Sequence, residues 1–328
     1  MKAGIGRREW LAGAMVSGAL VAGSSTGCNR TGTPTEKPRV TVLKSAAYNQ
    51  DLYSTVRQLL TDQKLNVKGK HVVLKPNLVE FDPTRPINTH PLFVHAAYEG
   101  FRALGAASVR IAEGPGHRRD SLDLADAAGY FSSIPGFEDH FRDLNFDAVE
   151  RIALSNPHSR LTELYLPKTL LGADLIVSLA KMKTHHWAGA TLSMKNFFGT
   201  VPGSIYGWPK NVLHWAGIPE CISDLHNAFP KHFGLVDGIV GMEGNGPIQG
   251  SGKFAGVIAG SRDMVALDAT CCRIMGIDPA RVKYLQLSAR QGQLDAANVA
   301  QSGETLASVR TDFELFGEFK DWRLARGA

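Results

Sequence analysis

Cysteine is scarce in this chain: 328 residues hold four, Cys28, Cys221, Cys271 and Cys272, with no C-x2-C pair among them. That spacing excludes a disulfide framework and a thiolate set for structural zinc, and no iron–sulfur cluster is expected. Vicinal Cys271 and Cys272 lie in MVALDATCCRIMG, an apolar helical pattern, and read as core. Charge of one sign is also lacking. The formal net charge of +5 drops to +3 without Lys2, Arg7, Arg8 and Glu9, too mild a surplus for a nucleic-acid surface. Internal repeats are absent, and no low-complexity tract follows the N-terminal region. Neither the dinucleotide fingerprint nor the P-loop spacing occurs.

The N-terminus has the organisation of an export signal. Arg7 and Arg8 in GRREWL precede an uncharged run, Leu11 to Gly27, too short and too rich in Gly, Ala and Ser to span a bilayer stably. Paired arginines point to the twin-arginine machinery, although Trp10 stands where that motif prefers Phe. The run ends in Ser-Thr-Gly-Cys, which resembles a lipoprotein cleavage box with Cys28 as the acylated residue, although Ser25 replaces the usual Leu. An uncleaved anchor is the alternative. Either way the expectation is a periplasmic or extracytoplasmic protein that touches the membrane only through its signal or a lipid. A polar tether, residues 29–38, follows, and the globular part begins near Arg39.

Strand-like and helix-like segments then alternate. Strands are expected at 40–44, 71–77, 108–114, 161–167, 173–180, 232–242 and 253–261. Helices are expected at 51–62, 91–104, 121–128, 217–228, 263–275 and 279–292. This order predicts an α/β fold with a mostly parallel sheet and crossover helices, in two lobes (about 39–150 and 151–328) with a cleft between them.

Polar clusters sit at the strand ends, where such sheets place ligands. KTHHWAGATLSMKNFFG sets His185 and His186 shortly before Lys195, and imidazole and amine are groups whose pKa the surroundings can move toward neutrality. A surface loop with an incidental lysine is the alternative. In HVVLKPNLVEFDPTRPINTHP, prolines stiffen a segment carrying Lys75, Asn77 and Arg85, which suits an anion; the alternative for Thr89 or His90 is the cap of the next helix. SVRIAEGPGHRRD presents His117, Arg118 and Arg119 on a Gly-Pro-Gly turn. The glycine-rich LVDGIVGMEGNGPIQGSGKF carries Asp237, Glu243 and Asn245, carboxylates that could serve a metal or simple turn chemistry. Trp187, Tyr206, Trp208 and Trp215 could wall a site or fill a core.

KPNLV, THP before a helix, EGPG, ADLIVSLAKMKTH, SMKNFFG, VDGIVGMEGNGP and VIAGSRDMVALDA, in this order, resemble the family called domain of unknown function 362 over roughly residues 40–295. DPTRP, GPGHRR and HHWAGATLSMK are more distantly similar to segments of the nickel-pincer lactate racemase family. That likeness implies Arg85 on the ligand, His117 and His185 exchanging the substrate proton, and Lys195 tethering a pyridinium-derived, metal-containing cofactor. It departs where ATLSM replaces a glycine-rich run and where His214 is only the nearest counterpart of a nickel ligand. Together these readings make His117, His185 and Lys195 the catalytic candidates. Lys75, Asn77, Arg85, Arg118 and Asn196 are the ligand-binding candidates, and His214 and Glu243 the metal candidates. The expected function is an exported enzyme acting on a small anionic metabolite by histidine acid/base chemistry, of racemase, isomerase or redox type. The alternative is a non-catalytic envelope lipoprotein that binds such an anion.

Overall fold

The computed structural model describes residues 36–117 and 120–325. Arg7, Arg8, Cys28, Arg118 and Arg119 lie outside the described residues. Eleven strands carry the architecture: β1 (Arg39–Lys44), β2 (His71–Pro76), β3 (Ser108–Glu113), β4 (Phe141–Asp143), β5 (Val149–Ala153), β6 (Glu163–Pro167), β7 (Leu175–His185), β8 (Gly189–Thr191), β9 (His232–Glu243), β10 (Ser251–Ser261) and β11 (Ala300–Gly303). Nine form one sheet in the order β11-β1-β10-β9-β7-β2-β3-β4, with β8 folded back on β7; β5 and β6 make a separate hairpin. The central run from β9 to β4 is parallel throughout. The fold is α/β with a mostly parallel sheet, as expected.

The sheet is covered on both faces, which explains why its inner strands are apolar at nearly every position. In β7, Leu175, Val177 and Leu179 join one core with Leu52, Val56, Phe93 and Leu124. Ile176, Ala180 and Met182 join the other with Ile222, Leu225, Leu267 and Tyr284. The alternation follows from the two-residue period of a strand. Helix Asp51–Asp62 buries Leu52, Val56, Leu59 and Leu60, one stripe at helical spacing. Helix Pro91–Ala103 starts at His90, whose Nδ1 accepts from the Leu92 amide. His90 is therefore the cap. Helix Met264–Ile274 is capped by Asp263 and buries Cys271 and Cys272 completely.

Three expectations change. Residues 37–328 form one compact unit, and β2 pairs directly with β7 at the middle of a single sheet, so no boundary separates lobes near residue 150. The strand expected to end at residue 180 runs on to His185 with all of its residues buried. In place of the helix expected over 279–292 there are two short turns, Pro279–Arg281 and Lys283–Leu287.

Phe316 and Trp322 lie against the β7–β8 hairpin. Gly189, at φ +76°, has no side chain where the Trp322 indole packs. The Phe316 ring lies 6.4 Å from that of His186, and the Glu314 amide donates to Glu243 Oε2 at 2.8 Å.

Candidate functional site

From β2 the chain proceeds outward to β3 and β4, then returns to β7 on the other side of β2. This reversal opens a crevice beyond the C-terminal ends of β2 and β7, the position at which open α/β sheets hold ligands. The cavity there measures about 620 Å3. It is lined by four lysines (Lys75, Lys183, Lys195, Lys210), four histidines (His117, His185, His186, His214) and a single carboxylate, Glu113.

That carboxylate is committed. Glu113 and Lys75 pair at 2.6 Å with almost no exposure. Glu113 also accepts from the Leu78 amide at 3.1 Å and the Gly114 amide at 2.9 Å. Burial pushes Lys75 below and Glu113 above their ordinary values, while their mutual attraction opposes both shifts. An ammonium has three N–H groups, and those of Lys75 serve Glu113, the Pro76 carbonyl and Asn196 Oδ1. Asn196 in turn donates to the Lys75 carbonyl and to Ser178 Oγ. Both were expected to bind ligand directly; the structure instead spends their hydrogen bonds on each other, so they contribute field and framework.

The remaining lysines keep capacity. Lys183 donates to the carbonyls of Ile87 (2.8 Å) and Pro247 (3.2 Å), and Lys210 to those of Gly114 (2.5 Å) and Phe198 (3.3 Å), so each retains one N–H. Lys195 has no hydrogen-bond acceptor among the described residues; its Nζ rests 3.6 Å from the centroid of the Phe198 ring. Burial and the charge of Lys75 lower the Lys195 amine to about 7. Burial lowers Lys210 to about 7 as well, against the pull of Glu113. Asn77 Oδ1 and Thr191 Oγ1 are buried at the cavity without any partner.

The histidines divide by their fixed partners. His185 Nδ1 accepts from the amides of Trp187 (3.0 Å) and Ala188 (3.2 Å), so the neutral ring carries its proton on Nε2. His186 and His214 are reversed. Their Nδ1–H groups donate to the carbonyls of Gly246 (2.7 Å) and Lys210 (3.1 Å), which leaves Nε2 as an acceptor. Burial holds His185 well below its usual range, aided by the charges of Lys195, His186, Lys183 and His214. Burial also lowers His117, opposed by Glu80, and His214, opposed by its bond to the Lys210 carbonyl.

Beneath Lys195, Asp268 accepts from the Ser193 amide (2.9 Å), Ser193 Oγ (2.5 Å) and the Met194 amide (3.0 Å), fixing the backbone from which the lysine projects. Trp187 and Trp215 line the cavity yet remain largely exposed. Tyr206 is core, its hydroxyl accepting from the Tyr165 amide, and Trp208 is not part of the lining.

The cavity thus gathers Lys75, Asn77, His117 and His185 from the ends of β2, β3 and β7, Lys195 and Asn196 from the turn Lys195–Thr200, and His214 from the short helix Asn211–Ala216. Arg85 does not line it. Its guanidinium is partly exposed and lies 3.4 Å from Asp82 on its own proline-stiffened loop. Glu243 does not join His214, because Lys253 and the Glu314 amide engage its carboxylate. Among the described residues, no group of three His, Cys, Asp or Glu side chains could hold a metal ion. Lys183 and Lys210 were not singled out from sequence. Lys183 alternates with Lys181 and His185 along β7, a readable signal; Lys210, in an aromatic Gly/Pro segment, gives none.

The model of the family described as Domain of unknown function (DUF362) matches residues 72–273. The chain belongs to this family. Its DUF362 region therefore contains every cavity residue named above. The chain is 29% identical over 268 residues to the thylakoid-associated protein sll1697 of Synechocystis sp., covering 77% of this chain and 79% of that protein. Among solved structures it is similar to the lactate racemase apoprotein of Thermoanaerobacterium thermosaccharolyticum, at 16% identity and a TM-score of 0.48 over 74% of this chain and 57% of that one. A Thermotoga maritima protein aligns at 16% identity and a TM-score of 0.34, over 61% and 52%. The chain spans little more than half the length of these two structures. Among the described residues no helix is long and apolar enough to cross a membrane.

Proposed function

We propose that this DUF362 protein is an enzyme that binds a small anionic metabolite in the β2–β7 crevice and moves a proton on it with its histidines. One observation carries the reading: four lysines and four histidines line a single cavity whose sole carboxylate is already paired. Free N–H groups on Lys183, Lys195 and Lys210 supply charge-assisted bonds to a carboxylate or phosphate. His185, with its proton on Nε2, polarises a substrate oxygen; His214, with Nε2 free, accepts a proton. Two imidazoles held in opposite tautomers are suited to the two halves of an acid/base exchange.

The test is exchange of the α-proton of 2-hydroxy and 2-oxo acids in deuterated water, followed by NMR, together with calorimetric titration of the same acids. Saturable binding with exchange that disappears in His185→Phe and His214→Phe supports the reading. Saturable binding with no exchange would make the protein a binder, and absence of binding would remove the anion site.

We also infer export through Arg7 and Arg8 and acylation at Cys28, on the pattern of the N-terminal sequence. Replacing both arginines by lysine should hold the protein in the cytoplasm. Cys28→Ala should release it from the membrane fraction; unchanged fractionation would end the lipoprotein assignment.

A further inference from the structure

We infer that Lys195 is a nucleophile which condenses with the carbonyl carbon of a small oxo acid held in the cavity, forming an imine; this rests on the anion-site reading above. The first support is the contrast among the four cavity lysines. Lys75 uses all three of its N–H groups on the protein, and Lys183 and Lys210 use two each. Lys195 uses none, and its amine lies on the Phe198 face, a contact it can leave without exposing a buried acceptor. The second is the counter-ion: among the described residues the one carboxylate of the lining, Glu113, is paired with Lys75, and none is paired with Lys195. The third is a fixed base beneath the side chain. Asp268 ties down Ser193 and Met194, and the Lys195–Thr200 turn follows at once.

An amine lowered to about 7 by burial and a neighbouring cation is in its reactive neutral form at physiological pH for a large fraction of the time. The balance of the step is simple. The nitrogen lone pair attacks the carbonyl carbon, and the C=O π pair takes a proton to give a carbinolamine. Over the whole step the nitrogen gives up both of its protons, the oxygen takes up two and leaves as water, and C=N forms; nothing is oxidised or reduced. Both rings line the cavity: the Nε2–H of His185 can hydrogen-bond the carbonyl oxygen, and Nε2 of His214 can take a proton from the nitrogen and return it to the departing hydroxyl. The acid group of the ligand falls to the spare N–H groups of Lys183 and Lys210, with the unpartnered Thr191 hydroxyl as a further donor.

The experiment uses the intact protein with pyruvate, glyoxylate, 2-oxoglutarate and succinic semialdehyde, each in the presence of cyanoborohydride, followed by intact mass and peptide mapping. The expected result is one reduced adduct, on Lys195, for at least one acid, saturating with concentration. Its rate should rise about tenfold between pH 6 and pH 8 as the amine loses its proton. Lys195→Arg should abolish it, and Lys183→Met or Lys210→Met should raise the half-saturating concentration about tenfold while the adduct still forms. No adduct on Lys195 with any of the four, or labelling spread over surface lysines, overturns the proposal. Lactate, an anion without a carbonyl, separates the two readings. If lactate binds saturably and no adduct forms, the imine falls and the anion site stands. If neutral acetone labels Lys195 as fast as pyruvate does, the anion site falls and so does the oxo-acid assignment.

Discussion

Replacing Glu113 by Gln tests whether the buried pair organises the crevice. The side chain keeps its shape but loses the charge that Lys75 faces at 2.6 Å, leaving the ammonium with neutral acceptors only, the Pro76 carbonyl and Asn196 Oδ1 among them. Breaking a buried ion pair on one side costs about 3–5 kcal/mol. Lys75 can escape part of this by releasing its proton, at about 1.4 kcal/mol per unit between pH and its ordinary value, which caps the loss near 5 kcal/mol at pH 7 and near 2 kcal/mol at pH 9. Burial depresses the folded-state value of Lys75 below the unfolded value of 10.5 even with Glu113 pulling it up, so loss of that carboxylate depresses it further. Between those two values the unfolded chain binds more protons, so stability rises with pH through this window. Thermal melts at pH 7 should therefore fall by roughly 10 °C relative to the parent, at about 2–4 °C per kcal/mol for a domain of this size. At pH 9 the gap should narrow to less than half. A variant that melts like the parent at pH 7, or a gap that widens with pH, would refute the reasoning. The double variant Lys75→Met, Glu113→Leu should recover about 2 kcal/mol of the loss, because it removes the stranded charge as well as its partner.

Three further outcomes are expected. Gly199→Ala should destabilise by about 2–3 kcal/mol in urea titrations, since its methyl would collide with Glu113 Oε1 and with Lys75 Nζ and Cε; a variant as stable as the parent would mean that the pair can shift. Affinity for lactate, an anion that cannot form an imine, measured by calorimetry, should decline from pH 6 to pH 8, because Lys195 and Lys210 both lose their charge near 7; an affinity that rises with pH would exclude them as the anion's partners. Asp268→Asn should cost about 2–4 kcal/mol, as an amide cannot accept the Ser193 and Met194 donors at both of its ends, and it should also slow labelling of Lys195. Unaltered labelling would show that the lysine does not depend on that anchor.

The parallel sheet was legible because its strands are short apolar runs separated by helix-length segments, and helix Asp51–Asp62 has the bounds its periodicity predicts. Strand β7 was read too short because Lys181 and Lys183 look like solvent residues. Only the fold supplies Asp237, 2.7 Å from Lys181, and the carbonyls that receive Lys183. Strands β4, β8 and β11 are three or four residues long, and their existence depends on the neighbour that pairs with them. The strand-end rule brought His117, His185 and Lys195 to one place, but not the division of labour among the lysines. Whether an ammonium has spare donors is decided by carbonyls far away in the chain: Lys75 was chosen as a ligand residue and is saturated, while Lys210 went unremarked and has one N–H to offer. Arg85 misled for a related reason, since its own loop supplies Asp82 as a nearby partner.

The packing of Trp322 into the space beside Gly189, and of Phe316 near the His186 ring, bears on how the protein is made. A nascent chain that has emerged only as far as residue 310 already owns every strand of the sheet, yet its paired histidines stand on a hairpin with one side bare. That side of the hairpin is covered only once Phe316 and Trp322 have been made, so a truncation before Phe316 reaches the histidines without touching any residue that lines the cavity.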